Sequence, residues 1–213
     1  MTRERKGVVI LIIYCLPLLA LTASPVRWGV RSFFSGGYPS GKGLWDWTDA
    51  EQEGELHWKG GGGGGLILEI PLKESLSLTA DSAYVYARGG QSLDDWDIVY
   101  TQQSLELFLL VKGKLPVDFK GSSLAVGLGG MAPFDARMNG VSATPHQPVM
   151  LCLKAGLDFP SLKGSWGEGY FSAYFVHPLT SPEYDWVDGS SGSVRINRID
   201  LAVTWLLPGR RGK

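Results

Sequence analysis

The chain has 213 residues, 44% apolar, 11% aromatic and 19% charged, which is enough hydrophobic material for a full core and too much for a disordered chain. Twenty basic and 21 acidic side chains leave a formal charge of −1 and no basic patch able to neutralise a phosphate backbone, so nucleic acid is excluded as an expected partner. The length suits one domain.

Arg3, Arg5 and Lys6 precede an almost wholly apolar run, residues 8–23, closed by the small residues around Thr22–Ser24. This is the pattern of a secretory signal peptide (1–23): the apolar stretch enters the membrane while the basic end stays outside it. Cleavage after Ala23 or Ser24 is expected. The alternative is an uncleaved anchor, the protein's one membrane contact, because 16 apolar residues fall somewhat short of the ~20 that span a bilayer. Cys15 follows Tyr14 where a lipoprotein signal would have a small residue, which argues against lipid attachment. Beyond residue 23 the chain carries 17 basic and 20 acidic groups, a charge of −3 suited to an extracytoplasmic space, periplasmic or secreted. Cys152 is then a lone thiol among Met150, Leu151 and Leu153, expected at a buried strand position.

Residues 24–43 read as a flexible tether, 44–208 as the folded domain and 209–213 as a basic tail. The six-glycine run Gly60–Gly65 reads as a hairpin loop, since glycine loses the most backbone entropy and offers nothing to pack; a phosphate-cradling loop would need a following helix, and LILEIP follows instead. Short apolar or alternating segments then recur between Gly, Pro, Ser and Asp: Leu66–Ile70, Ala83–Ala87, Leu105–Val111, Leu124–Leu128, Val149–Leu153, Tyr170–Val176 and Val194–Trp205. They predict strands joined by tight turns, with little helix, because 28 of the 190 residues after position 23 are glycine. Leu105–Val111 is expected to lie centrally, buried in part on both sides. In Tyr170–His177 the face with Phe171 and Phe175 is expected inward and the face with Tyr170 and Tyr174 outward. The parity of apolar residues changes across Asn197–Arg198, which predicts a bulge.

The segments SLELFLLVKGKLP, SSLAVGLGG, QPVMLCLKAGLDFPSL and SVRINRIDLAV give an arrangement that resembles the galactose-binding-like β-sandwich (jelly roll), in particular the accessory domain at the C-terminus of bacterial family 3 exo-glucosidases. The resemblance covers about two-thirds of the chain and implies an all-β antiparallel sandwich associated with carbohydrate.

Eight tryptophans are many for this length, and several stand beside acids in turn-like contexts: Trp45, Trp47, Trp96, Trp166 and Trp186. A sugar ring stacks its C–H face on an aromatic plane while carboxylates accept from its hydroxyls. Trp96, Trp166, Tyr170, Tyr184 and Trp186 are therefore stacking candidates, with Asp95, Asp97 and Asp185 as acceptors. Each ring could equally plug a core end and each acid a turn. Asp94, Asp95 and Asp97 supply oxygens at close spacing but lack a dedicated calcium-loop pattern, so no cofactor is expected. His57, His146 and His177 show no zinc spacing. A glycosidase would need two opposed carboxyls, for which Glu168, Asp185 and Asp188 are the loop acids beside aromatics; no nucleophile or metalloprotease motif occurs, so catalysis is the minority reading.

The expectation is thus a secreted β-sandwich binding polysaccharide or oligosaccharide without transforming it. The alternative is a structural or assembly protein of the cell envelope whose aromatics face another protein. A small outer-membrane barrel ranks lower, because its strands need ~10 residues and most of the apolar runs here are shorter.

Overall fold

The computed structural model describes residues 26–40, 55–93, 96–116, 121–145, 149–164, 166–180, 183–186 and 191–207. The expected signal peptide, residues 41–54 and the basic tail lie outside them. Among the described residues there is no helix, and eleven strands form one antiparallel sheet. They are β1 (Arg27–Ser40), β2 (Glu55–Lys73), β3 (Leu76–Leu93), β4 (Trp96–Lys114), β5 (Ser123–Met138), β6 (Val141–Pro145), β7 (Met150–Gly164), β8 (Gly167–Pro178), β9 (Glu183–Trp186), β10 (Ser191–Ser193) and β11 (Arg195–Leu206).

The sheet closes on itself. Each of β1 to β5 pairs with the next, β5 continues to β7, β7 to β8, β8 to β11, and β11 returns to β1. Eight strands therefore make a barrel, not the two packed sheets of a jelly roll. One row of cross-strand partners runs Pro133, Ser104, Val85, Gly63, Phe33, Ala202, Ser172, Asp158 and back into β5 at Ser123, ten residues below Pro133. That stagger, at ~3.3 Å per residue around eight strands ~4.8 Å apart, corresponds to a strand tilt of roughly 40°.

One end of the barrel holds the start of β1, the end of β11 and the connections β2–β3 (Glu74 and Ser75), β4–β5 (115–122) and β7–β8 (165–166). The other end holds the connections β1–β2 (41–54), β3–β4 (94–95), β5–β7 and β8–β11. There β6 folds back on β5 at Asn139 and Gly140, whose positive φ angles suit a two-residue hairpin turn, and β9 and β10 extend that edge past the barrel.

Several expectations are corrected. Residues 27–40, read as tether, form β1, paired on both sides. The six glycines lie inside β2, not in a loop. A Cβ on Gly63 would sit 2.5 Å from the Phe33 ring and overlap the Tyr84 carbonyl oxygen, so glycine is what lets the neighbouring backbone and ring close in. On the opposite face Gly60 is open: a Cβ there would meet nothing within 4 Å. β11 keeps one unbroken register with β1 and β8, so no bulge occurs at Asn197–Arg198. The change of parity there marks a shift from apolar residues facing in, at Ile196, to apolar residues facing out, at Ile199, Leu201 and Val203. The seven apolar segments do fall in strands, but the strands run on through glycine and proline to 12–19 residues.

Candidate functional site: a charged lumen inside an apolar wall

Alternation along each barrel strand divides the residues between lumen and outside, and the distribution is inverted relative to a soluble core. On β8, Tyr170, Ser172, Tyr174 and Val176 face the lumen while Phe171 and Phe175 are exposed, the reverse of the expected orientation. On β4, Glu106, Phe108 and Leu110 are buried while Leu105, Leu109 and Val111 are exposed, so this strand has one face in the lumen and one outside. Trp28, Val30, Phe34, Leu66, Leu124, Val126, Leu128, Leu151, Leu201 and Val203 continue the exposed apolar surface around the wall, Phe34 at 81%. Patches of this extent are foreign to a monomer in water.

The apolar belt has a height and two rims. On β1 it runs from Trp28 to Tyr38, eleven residues, or roughly 25 Å along the barrel axis at ~3.3 Å per residue and a tilt of ~40°. At the end holding the termini it is edged by Trp28, Phe159 and Trp205. At the other end stand Tyr38 and Trp58, with ring centroids 5.5 Å apart, and Tyr84 and Phe134, 6.1 Å apart.

Inside, ionised side chains are packed against one another. Arg198, 1% exposed, donates from Nε to Asp200 Oδ1 (2.8 Å) and from Nη1 and Nη2 to the two oxygens of Glu106. Asp81 Oδ2 receives Arg31 and Lys154 Nζ, the latter at 2.6 Å. Nearer the termini, Lys112 Nζ lies 2.5 Å from Asp158 Oδ2 and 3.2 Å from Glu69 Oε2, and Arg27 joins Glu69 to Glu168. The Ser172 and Tyr174 hydroxyls both donate to Asp158 Oδ1 at 2.6 Å. Charges so desolvated persist only when paired and hydrogen-bonded, as these are. Lys154 also lies over the Phe108 and Tyr174 rings, each 4.9 Å from the nitrogen.

Beyond Arg198 the lumen is plugged by Phe33, Val85, Tyr100, Ala136, Tyr184, Val194 and Ile196. A cavity of about 10 Å³ lies beside Arg31, Thr79 and Lys112, and a second of similar size beside Tyr100 and Tyr184; each has room for about one water molecule. Burial pushes the Tyr184 phenol well above its ordinary range. Neither cavity admits a sugar ring.

The residues proposed for saccharide stacking do not converge. Trp166, 80% exposed, and Tyr170 lie at the end of the barrel holding the termini, whereas Trp96, Tyr184 and Trp186 belong to the opposite end. Tyr170 points into the lumen, donating to Glu168 Oε2 at 2.7 Å, and Tyr184 is buried. Asp97 is exposed and accepts from Ser92. The side chains of Trp96, Asp185 and Trp186, and all of Trp45, Trp47, Asp94, Asp95, His146 and Asp188, lie outside the described residues. Glu168, a candidate catalytic acid, is held by Arg27 (2.7 Å) and Tyr170. His177 stacks on Phe175 and shares a 2.6 Å hydrogen bond with Asn197. Cys152 is buried, on the lumen side of β7. Among the described residues no group of His, Cys, Asp and Glu could hold a metal ion.

No family model matches the sequence, and no curated protein matches it. Solved structures do. The outer membrane protein OprG of Pseudomonas aeruginosa is similar over 87% of this chain and 97% of its own, at 10% identity and a TM-score of 0.50. The fold is that of a small outer-membrane β-barrel. Weaker likenesses include Neisserial surface protein A (NspA; 8% identity, 84% and 96% covered, TM-score 0.48) and Ail, the attachment invasion locus protein of Yersinia pestis (12%, 86% and 100%, 0.45). The likeness to OprG, with the single closed sheet, overturns the galactose-binding-like resemblance and the soluble sandwich that went with it. Both folds need period-two strands, which is why the hydrophobic spacing misled. The luminal charges went unnoticed as a set, although a signal for them exists: Glu106, Asp158, Lys154, Arg198 and Asp200 all share strand parity with small, hydroxylic or buried residues, and the opposite parity is aliphatic or aromatic.

Proposed function

We propose that the chain is an integral outer-membrane β-barrel with a sealed lumen, serving the cell envelope as a structural or assembly component and not as an open conduit. The observation that carries this reading is the inversion of polarity: an aliphatic wall about 25 Å high with aromatic rims, around a lumen of paired charges. Among the described residues no helix is long and apolar enough to cross a membrane, and in this reading the strands do so. Closure gives every barrel strand a hydrogen-bonded neighbour on both sides, the arrangement that lets a sheet be immersed in hydrocarbon. The packed lumen supports the second half of the proposal: among the described residues Arg198 is buried in its ion pairs and Phe33 in the apolar cluster beyond it. Partners would be met at the rim built from β6, β9 and β10, which continue the sheet beyond the closed ring of eight strands.

Refolding the chain from urea tests the reading. In detergent micelles or lipid vesicles it should gain β-structure and a band that migrates differently with and without boiling, and in planar bilayers it should show no steady conductance. Folding to a monodisperse monomer in plain buffer would refute the membrane assignment, and a sustained ohmic conductance would refute the sealed lumen.

A further inference from the structure

Just beyond the apolar belt, at the end away from the termini, three donors stand side by side on the outer wall. Arg88 on β3 lies directly opposite Thr101 on β4, and Thr101 lies opposite Arg137 on β5. With strands ~4.8 Å apart, the two arginines start roughly 10 Å from each other, within reach of one phosphate or of two phosphates on a single headgroup. Arg88 has no ion-pair partner among the described residues, and its Nε is shielded from water without a hydrogen bond. Arg137 is half exposed and commits only Nε, at 3.1 Å, to Asp135 Oδ1. The carboxylate in this patch is itself engaged: Asp135 Oδ2 accepts from Gln103 Nε2 at 2.7 Å, and Gln103 Oε1 accepts from the Tyr84 hydroxyl at 2.8 Å. The row therefore keeps a net positive charge.

Its depth is as informative as its charge. Arg88 is two residues beyond Tyr86, about 5 Å further along the barrel axis, which sets its guanidinium at headgroup level above the hydrocarbon. Beneath lie the exposed side chains of Tyr84, Phe134 and Leu105, which continue into the belt. The longer connections gather at this end, the arrangement of the outward face in such barrels. We propose that Arg88, Thr101 and Arg137 bind the phosphate of a lipid headgroup in the outward-facing leaflet, with its acyl chains against Tyr84, Phe134 and Leu105. This rests on the outer-membrane reading above.

The test uses the full chain folded in zwitterionic detergent, with native mass spectrometry or fluorescence titration against three probes: a lipid carrying phosphates on a sugar head, its dephosphorylated counterpart, and inorganic phosphate. The phosphorylated lipid should bind at least ten times more tightly than either other probe. Arg88→Gln with Arg137→Gln should weaken it on the order of 10- to 30-fold, and Lys114→Gln at the opposite rim should leave it unchanged. Equal binding of the dephosphorylated lipid, an equal loss in Lys114→Gln, or inorganic phosphate binding as well as the lipid would each overturn the proposal. If the double variant does not fold, the single variants and the wild-type comparison of the two lipids still decide. Failure of the wild type to fold in detergent would instead sink the membrane reading, and is seen separately as loss of the unboiled band shift.

Discussion

Arginine placed at Leu201 separates a membrane wall from a water-exposed one. Leu201 is 50% exposed and pairs with Phe34 midway along β1's run from Trp28 to Tyr38, so it sits near the middle of the belt. On an aqueous surface the change would fall within about 0.5 kcal/mol of neutral. In hydrocarbon an arginine at the midplane of a barrel wall costs about 2–4 kcal/mol, falling to roughly 0–1 near the interfaces. Residues two apart on β11 differ by about 5 Å in depth at a ~40° tilt. Ile199→Arg and Val203→Arg, one step to either side, should therefore cost less than Leu201→Arg, and Trp205→Arg, at the rim, should carry least of this depth-dependent penalty. Urea titration of the chain in lipid vesicles, followed by tryptophan fluorescence, reads the series with the Trp205 variant followed by circular dichroism. A flat profile, or a Leu201→Arg cost below about 0.5 kcal/mol, would refute the depth assignment and the membrane reading together.

Arg198→Met leaves Glu106 and Asp200 buried without their cation and should cost about 3–5 kcal/mol in the same titration, whereas Arg198→Met combined with Glu106→Gln and Asp200→Asn should recover most of that loss; no recovery would mean the side-chain volume of Arg198 mattered and its charge did not. Gly63→Ala drives a methyl group against Phe33 and the Tyr84 carbonyl and should cost at least about 1–3 kcal/mol, while Gly60→Ala, facing open space, should stay within about 0.5 kcal/mol; equal effects would contradict the assigned faces of β2. The Tyr184 phenol, raised by burial, stays protonated when an unfolded tyrosine ionises near 10, so the stability it holds is complete below pH ~10 and is lost as pH rises through its folded value. Tyr184→Phe should flatten that alkaline loss in an unfolding series from pH 8 to 12, and an unchanged slope would assign the loss to other groups.

Much of the backbone was legible and its orientation was not. Period-two alternation located strands at Leu105–Val111, Tyr170–Val176 and Val194–Trp205, because alternation reports which residues share a face. It is silent on which face meets the interior. For Tyr170–His177 both assignments satisfy the pattern, and the choice of phenylalanine inward assumed water outside. Strand lengths were read short for a related reason. The apolar run Leu124–Leu128 ends at Gly129, short of Pro133, but a tightly curved sheet tolerates glycine where neighbouring backbone crowds the lumen, and β5 takes up Pro133 beside an irregularity in its register with β4. The glycine run failed by the same logic: its entropy cost was weighed without the close approach of Phe33, a long-range contact no local rule supplies.

The saccharide site failed differently, since composition cannot say which ends of strands meet. Trp166 and Trp96 each sit beside an acid, yet strand direction sends one to the termini end and the other to the opposite end. The residues that do converge, Arg198 with Glu106 and Asp81 with Arg31 and Lys154, are 92, 50 and 73 positions apart. Their shared trait in the sequence is that each is a charge on the parity opposite the aliphatic face. In a soluble sheet that combination would put ions in the core and hydrophobes in water, at a cost of several kcal/mol for each uncompensated charge. The sequence carries the pattern on strand after strand, and in the membrane reading the two environments are exchanged: lipid against the aliphatic parity, and a closed lumen where each of the described buried charges has a counterion.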